Sequence, residues 1–298
     1  MVEDKLNLKY YTGEDLYSDG DIEDELLEIV SNHETYEEIL QNDNRWPILY
    51  HLSSIRQNIL DWYEFGENAT VLEIGAGCGA ITGVLCEHAK KVTCIELSKK
   101  RSLINATRNR KYDNLEIFVG NFEDIQIEEK YDYVTLIGVL EYSPSYIKDS
   151  KPFHAMLRKI KKYLKPEGKV IIAIENKYGL KYLAGATEDH TGVLFDGITD
   201  YKNTHHVRTF TKPEISELLK ECGYGMVQYY YPMPDYKMPT VIYSDDFLPK
   251  QGDIRNVTNA YDRERYLLFD EEIVYDQLCK DELIDYFANS FLIIAEGI

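Results

Sequence analysis

The residues best suited to ligand chemistry lie in the segment VLEIGAGCGA, residues 71–80, where Gly75, Gly77 and Gly79 follow a short apolar run. Glycine is favoured where a backbone turns tightly and approaches a ligand, because a side chain would collide with it. A strand, a turn of this kind and a helix together form a dinucleotide-binding pattern. Glu96 follows Gly75 by 21 residues, near the spacing of about 20 at which an acidic residue binds ribose hydroxyls. The segment predicts a site for an adenosine-containing cofactor.

Both NAD and S-adenosylmethionine contain adenosine, and three further features favour the second. Glu73 lies two residues before the first glycine, where an acid suits the ammonium group of a methionine moiety and would repel a pyrophosphate. Asn121 and Phe122 follow a third apolar run and suit hydrogen bonding to adenine and flanking of its ring. A predicted closing strand at 291–297 fits a seven-stranded sheet better than it fits a dehydrogenase.

A second candidate group lies in the polar loop 185–208, after the fifth predicted strand. His190 is the best candidate for a general base, which a hydroxyl acceptor would need near neutral pH. Glu188 and Asp189 precede it and are expected to orient the imidazole or stabilise its charge. Such loops follow the carboxyl ends of strands, where ligands bind in open α/β sheets. Alternatively, His190 only caps a turn.

Other polar and aromatic residues near this loop carry weaker signals. Glu141 and Tyr142 follow the fourth predicted strand and either border an acceptor pocket or only close a turn. Aromatic residues that could stack on sugar rings or belong to the core are Tyr178, Tyr182, Tyr229, Tyr230, Tyr231 and Tyr236. Asp189 and Asn176 are present, but no spacing requires an ion, so no metal site is expected.

Apolar runs alternate with helical stretches, which predicts a doubly wound α/β sheet with helices on both faces. The predicted strands are 70–74, 91–97, 115–120, 131–140, 169–175, 225–232 and 291–297. Helices are predicted at 80–90, 99–110, 153–164 and 178–183. Thr211 and Glu214 form a capping-box sequence that opens one more helix, ending near Gly223.

The chain is divided here into an N-terminal arm and helical cap, residues 1–66, and an α/β domain, residues 67–298. One helix is predicted from Trp46 to Gly66, because Ile48, Leu52, Ile55, Ile59 and Trp62 recur at steps of three and four. Residues 177–210 and an insertion before the last strand, residues 232–287, are expected to lie on the acceptor side.

Composition narrows the classes of partner and location. The net charge of −19 argues against nucleic acid and anionic lipid, whose binding is driven by basic patches. Five cysteines are scattered along the chain without a CxxC pair, which is typical of free thiols in a reducing compartment. We see neither a signal peptide nor an apolar run long enough to span a membrane. A cytoplasmic location is therefore expected.

Over roughly residues 67–175 the sequence resembles the class I S-adenosylmethionine-dependent methyltransferases. The resemblance implies a Rossmann-like sheet of seven strands and S-adenosylmethionine as the cofactor. It assigns cofactor binding to Glu73, Gly75, Gly77, Gly79, Glu96, Asn121 and Phe122, with Ile137 lining the site. The family more often has Asp at the position of Asn121.

The last third of the chain is similar to methyltransferase modules of bacterial surface-polysaccharide and other glycan assembly, which often accompany glycosyltransferases. The similarity is carried by residues 174–192, 208–214 and 229–249. It implies O-methylation of a saccharide by in-line methyl transfer. The alternatives are a small-molecule O- or N-methyltransferase of secondary metabolism, a non-catalytic cofactor-binding partner of a glycosyltransferase, and an NAD-dependent oxidoreductase.

Overall fold

The structure is a computed structural model that describes residues 2–15, 17–255 and 263–297. Its strands are β1 (Leu6–Asn7), β2 (Thr70–Ile74), β3 (Lys91–Glu96), β4 (Leu115–Val119), β5 (Tyr131–Ile137), β6 (Leu164–Glu175), β7 (Tyr224–Met233), β8 (Val241–Ser244) and β9 (Ser290–Gly297). Its helices are α1 (Ile22–Asn32), α2 (Glu37–Asn42), α3 (Trp46–Leu52), α4 (Asn58–Asp61), α5 (Thr82–His88), α6 (Lys99–Arg108), α7 (Ser143–Tyr146), α8 (Pro152–Tyr163), α9 (Leu180–Leu183), α10 (Lys212–Glu221), α11 (Glu271–Lys280) and α12 (Ile284–Phe287). Short 3₁₀ turns cover Glu3–Lys5, Ser54–Gln57 and Leu140–Tyr142.

The described strands form one mixed sheet of nine, in the hydrogen-bonded order β1-β4-β3-β2-β5-β6-β9-β7-β8. All seven strands predicted from the sequence are present, but the expected number of seven is wrong. The two additional strands are the edge strands β1 and β8. They are two and four residues long, too short to give a periodic apolar pattern.

The described chain divides into two compact units. The first comprises residues 1–136 and 162–169, in which β1 to β4 pair in parallel and β2 pairs in parallel with β5. The second comprises residues 137–161 and 170–298, in which β7 pairs antiparallel with β8 and β9. The predicted boundary after residue 66 is not a boundary of these units.

The single helix predicted from Trp46 to Gly66 is wrong. The chain turns out of α3 at Ser53, whose backbone is extended and whose side chain accepts a hydrogen bond from the N–H of Ile55. A 3₁₀ turn and α4 follow instead, and Ile55 and Trp62 are exposed rather than on a buried helical face. The apolar spacing therefore corresponds to a helix only up to Leu52, because Ser53 caps a new turn.

Within the first unit, the N-terminal arm packs against the glycine-rich segment and α6 through an apolar cluster. Its members are Leu26, Val30, Ile48, Leu52, Cys78 and Ile104, which join α1 and α3 to the glycine-rich segment and to α6. No helix in the described part of the chain is both long and apolar enough to cross a membrane.

Candidate cofactor and acceptor sites

The glycine-rich segment after β2 is a loop that only glycine accommodates without strain. Gly75, Gly77 and Gly79 have positive φ angles of 71°, 53° and 78°, a conformation that costs other residues roughly 1–2 kcal/mol. The N–H of Gly75 donates to the carbonyl oxygen of Ile95 on β3 at 2.8 Å. The loop is therefore fixed to the neighbouring strand at its first residue.

Glu96, the last residue of β3, fixes the middle of the same loop. Its Oε2 accepts a hydrogen bond from the N–H of Gly77 at 2.7 Å, and its Oε1 accepts one from the N–H of Ser98 at 2.9 Å. Ser98 in turn caps α6. One buried carboxylate thus connects the glycine loop to the start of the next helix, where the sequence predicted a contact with ribose.

Glu73 is buried and belongs to a polar chain below the loop. Thr82 donates from Oγ1 to its Oε2 at 2.6 Å, and Cys94 donates from Sγ to the same oxygen at 3.2 Å. Asn105 donates to Thr82, and Asn109 donates to Asn105, each at 2.9 Å. Since Oε2 of Glu73 faces these groups, the predicted contact with an ammonium group rests on the other oxygen and stays a prediction. The other members of this polar chain were not predicted from the sequence, because they lie on three separate elements.

The space around Gly79 gives a stability prediction. A Cβ on this residue would lie 2.4 Å from Oδ1 of Asn105, whereas a Cβ on Gly20, at a similar φ of 83°, would meet nothing within 4 Å. We expect Gly79→Ala to lower the free energy of unfolding by about 2 kcal/mol more than Gly20→Ala, because it also breaks the buried amide chain. Urea denaturation of both variants measures the difference, and equal losses would contradict the packing described here.

Glu73 also gives a prediction on pH. Burial raises its pKa from 4.5 to about 7, so the folded protein binds this proton more tightly than the unfolded chain does. The stabilisation is complete below pH 4.5 and is lost as the pH rises towards 7, at about 1.4 kcal/mol per pKa unit. Relative to Glu73→Gln, the wild type should lose on the order of 3 kcal/mol across this window. Urea denaturation at both ends of the window measures this, and identical pH profiles would show that the carboxyl is not desolvated.

The other predicted cofactor residues lie just after β4 or at the end of β5. Oδ1 of Asn121 accepts from the N–H of Glu123 at 3.1 Å and so closes a turn. The ring of Phe122 is buried and lies 6.0 Å from that of Tyr163. Ile137 is half-buried at the end of β5. Their predicted contacts with adenine and with the cofactor stay predictions.

The N-terminal arm reaches the start of α6, which the sequence did not predict. Asp15 accepts from the N–H groups of Lys99 and Lys100 at 2.7 and 3.2 Å. Arg101 donates from Nε to the buried Glu23 at 3.0 Å and also pairs with Asp19. These charges are far apart in sequence from the glycine loop, and no spacing marked them as partners.

In the second unit, the imidazole of His190 is held by a carboxylate. Nδ1 of His190 lies 2.8 Å from Oε1 of Glu188, and Tyr201 donates to the same oxygen at 3.1 Å. Oε2 of Glu188 accepts from the N–H groups of His190 and Thr191, both at 2.7 Å. Glu188 therefore fixes the ring and its loop together, as its predicted orienting role requires.

The other ring nitrogen of His190 faces two more carboxylates. Nε2 lies 3.5 Å from Oε1 of Glu141 and 3.7 Å from Oε2 of Glu175. Glu141 follows β5 in a 3₁₀ turn, and Glu175 ends β6. We call Glu141, Glu175, Glu188 and His190 the His190 cluster. From the sequence, Glu141 was a candidate border of the acceptor pocket, whereas Glu175 was predicted only to end a strand.

Charge in the His190 cluster changes the expected protonation. Burial opposes a charged ring, but the charge of Glu175 and the contacts with Glu141 and Glu188 raise the pKa of His190 well above its usual value. Burial, helped by the charge of Glu175, also raises the pKa of Glu141. A base poised near neutral pH was expected, whereas the surrounding carboxylates favour a positive charge at this position.

Asp189 pairs with two lysines. It accepts from Nζ of Lys181 at 2.9 Å and pairs with Lys237. Burial opposes ionisation, but these two ammonium groups hold its pKa well below the usual range. Lys237 also donates to Oε1 of Glu175 at 2.5 Å. Lys237 therefore connects Asp189 to Glu175 of the His190 cluster.

Most of the tyrosines considered for sugar stacking are in the core. Tyr182, Tyr229, Tyr231 and Tyr236 are buried, Tyr230 is half-buried and Tyr178 is exposed. The ring of Tyr142 packs edge-on against that of His190 at 5.1 Å. Only Tyr178 among the six offers an exposed aromatic ring.

The residues around the glycine loop fit a nucleoside-containing cofactor. Positive-φ glycines let a ligand approach the backbone closely, and the buried carboxylate of Glu96 supplies hydrogen-bond acceptors for ribose hydroxyls. Both features belong to the first unit.

Comparison with known proteins defines the class. Residues 72–170 match the family model described as "Methyltransferase domain". Malonyl-[acyl-carrier protein] O-methyltransferase of Priestia megaterium is 27% identical over 112 residues, which cover 37% of this chain and 38% of that protein. Ribosomal RNA small subunit methyltransferase A of Fusobacterium nucleatum is 34% identical over 71 residues, covering 24% and 26%. The chain therefore spans less than two fifths of the length of these curated relatives.

A solved structure shares the fold. Phosphoethanolamine N-methyltransferase 1 of Haemonchus contortus, in complex with phosphoethanolamine and S-adenosylhomocysteine, has a TM-score of 0.51 at 13% identity and covers 93% of this chain and 48% of that one. Together these findings support a methyltransferase domain at residues 72–170 within a shared fold, and they imply S-adenosylmethionine as the cofactor of that domain. The expectations of a methyltransferase and of this cofactor are confirmed.

Proposed function

We propose that the chain transfers the methyl group of S-adenosylmethionine to a hydroxyl of a saccharide or glycan intermediate. The methyltransferase domain supports the reaction class. The observation that carries the choice of a hydroxyl is the His190 cluster, in which Glu188 orients a buried imidazole beside two further carboxylates. In this proposal the first unit holds the adenosine of the cofactor, and the second carries the groups that act on the acceptor.

The chemistry requires one proton to leave the acceptor. The cofactor supplies an electrophilic methyl group on a sulfonium, so that the C–S bond breaks as the O–C bond forms. An alcohol becomes a sufficient nucleophile when its proton is taken up during the transfer, a contribution of typically 10²–10⁴-fold. We propose that the His190 cluster promotes the loss of this proton, with Glu188 holding the ring through Nδ1 and Glu141 lying beside Nε2. Amine acceptors that are already neutral would need no such group.

The proposed saccharide class rests on three arguments. Residues 174–192, 208–214 and 229–249 are similar to methyltransferase modules of glycan assembly, and they lie in the second unit with the His190 cluster. RNA, the substrate named for one relative, is disfavoured by the net charge of −19. Tyr178, exposed after β6, offers a ring for stacking on a sugar face. A glycosyltransferase partner stays part of this proposal.

Transfer of label from S-adenosyl[methyl-³H]methionine tests the proposed function. The purified chain is incubated with separate pools of bacterial polysaccharide, lipid-linked saccharides, free sugars, phenols, amines and RNA. We expect label in a saccharide pool, in a linkage stable to mild alkali as an ether is. Label only in phenols or amines would point to a small-molecule methyltransferase, and binding of the cofactor without label in any pool would point to a non-catalytic partner.

A further inference from the structure

Three side chains of the His190 cluster, those of Glu141, Glu175 and His190, each bring a polar atom close to the other two. One carboxylate oxygen of Glu141, one of Glu175 and one ring nitrogen of His190 all lie within 4.8 Å of one another. Glu141 lies in the 3₁₀ turn after β5, Glu175 ends β6, and the imidazole comes from the loop after α9. All three residues belong to the second unit, and residues 176 to 189 separate Glu175 from His190 in the chain.

The carboxylate oxygens here have no hydrogen-bond partner in the described part of the chain. This holds for both oxygens of Glu141 and for Oε2 of Glu175, and the two residues are only 1% and 0% exposed. Leaving a buried polar group unsatisfied costs about 1–3 kcal/mol, and more for a charged one. Native proteins satisfy nearly all such groups. These oxygens therefore indicate a missing electropositive ligand.

We propose that Glu141, Glu175 and His190 form a binding site for a divalent first-row transition metal of the Zn²⁺ or Mn²⁺ type. Two carboxylate oxygens and one imidazole nitrogen form a donor set typical of these ions, whereas Mg²⁺ and Ca²⁺ prefer oxygen alone. Ligands held about 2.1 Å from a tetrahedral ion are roughly 3.4 Å apart. The separations of Nε2 from the two oxygens, 3.5 and 3.7 Å, are close to that value.

The groups behind the three ligands also suit a metal site. A histidine that binds a metal through one nitrogen usually donates from the other to a carboxylate or carbonyl oxygen. Here Nδ1 of His190 faces Glu188 at 2.8 Å, which leaves Nε2 for the ion. Oε1 of Glu175 accepts hydrogen bonds from Lys237 at 2.5 Å and from Tyr236 at 3.2 Å. Oε2 of Glu175 is thereby turned towards the other two ligands.

Charge in the cluster favours a dication. Within the described residues, Lys237 is the ammonium group that pairs with this cluster, through Glu175. With a neutral imidazole, the three carboxylates and this one ammonium group leave two negative charges in a buried place. An ion on Nε2 takes the place of the proton on that nitrogen, which passes to solvent. No metal site was expected from the sequence, because the candidate ligands were Asp189 and Asn176 and their spacing did not require an ion. Asp189 is paired with lysines instead, and Asn176 donates to the carbonyl oxygens of Tyr286 and Ala288.

Metal binding is tested on the full chain after treatment with a chelator, without cofactor or acceptor. Zn²⁺ and Mn²⁺ are titrated separately by calorimetry, and bound Mn²⁺ is counted by electron paramagnetic resonance. We expect about one ion per chain, and at least a 100-fold loss of affinity in Glu141→Gln and Glu175→Gln. His154→Gln is the matched control, because this histidine pairs with a carboxylate, Glu221, outside the cluster, and should bind as the wild type does.

A second measurement keeps the proposal testable if those variants do not fold. Glu188→Gln retains all three ligands, and loss of a group behind a ligand typically costs 10–100-fold in metal affinity. Crystals grown with Zn²⁺ should show an anomalous peak between Glu141, Glu175 and His190. A wild type that takes up neither ion, or a peak elsewhere, would overturn the proposal. Because this binding needs no methyl transfer, failure here and failure of the proposed function are separate results.

Discussion

Glu96→Ala should lower the affinity for S-adenosylhomocysteine by at least about 100-fold. The carboxylate accepts hydrogen bonds from the N–H groups of Gly77 and Ser98, and we propose that it also binds the ribose hydroxyls. Hydrogen bonds to a charged group contribute about 1.5–3 kcal/mol each, and a tenfold change in affinity is about 1.4 kcal/mol. Equilibrium dialysis with labelled S-adenosylhomocysteine measures the loss.

The control for this variant is Glu128→Ala, which changes the charge equally at an exposed position. It should bind as the wild type does. If Glu96→Ala stayed within about threefold of the wild type while remaining folded, Glu96 would have a structural role only, between the glycine loop and α6.

His190→Ala should lower turnover by at least about 100-fold and leave the affinity for S-adenosylhomocysteine unchanged. The reason is the 10²–10⁴-fold contribution typical of a positioned group that assists proton transfer. His190 lies in the second unit, whereas Glu96 and the glycine loop lie in the first. Turnover with the methyl acceptor identified by labelling, together with dialysis, separates the two effects.

Two further variants show whether His190 acts chemically. His154→Gln changes a histidine outside the cluster and should keep full turnover. Glu188→Gln keeps an oriented ring but removes one charge, so it should lower the maximal rate more than it raises KM, as expected for a positioning residue. Full turnover in His190→Ala would show that the cluster is structural.

The cofactor side was largely predictable because its signal is local in sequence. Gly75, Gly77 and Gly79 need positive φ angles in one short loop, and Glu96 ends the following strand, so both can be derived from spacing. The amide chain from Asn109 to Glu73 was not predictable, because its members lie on separate elements and polar residues in helices usually face solvent. The ending of α3 at Ser53 was missed because a hydroxyl capping a turn leaves the apolar spacing unchanged.

The acceptor side was predictable only in part. His190 and Glu188 are near neighbours, so their contact could be derived from the sequence. Glu175 directly follows the apolar run at residues 170–174, and nothing in its neighbours indicates that its carboxylate meets an imidazole from another loop. Asp189 was expected to orient that imidazole, but it pairs with Lys181, which is near in sequence, and with Lys237, which is distant. Long-range charge pairing of this kind has no periodic signal.

Calorimetric titration of the purified chain with S-adenosylhomocysteine, beside NAD, is the most direct test of the central claim that this is an S-adenosylmethionine-dependent methyltransferase. We predict one site per chain with micromolar affinity for S-adenosylhomocysteine, lost in Glu96→Ala and absent with NAD. Binding of NAD alone, or of neither ligand by a folded protein, would contradict the account.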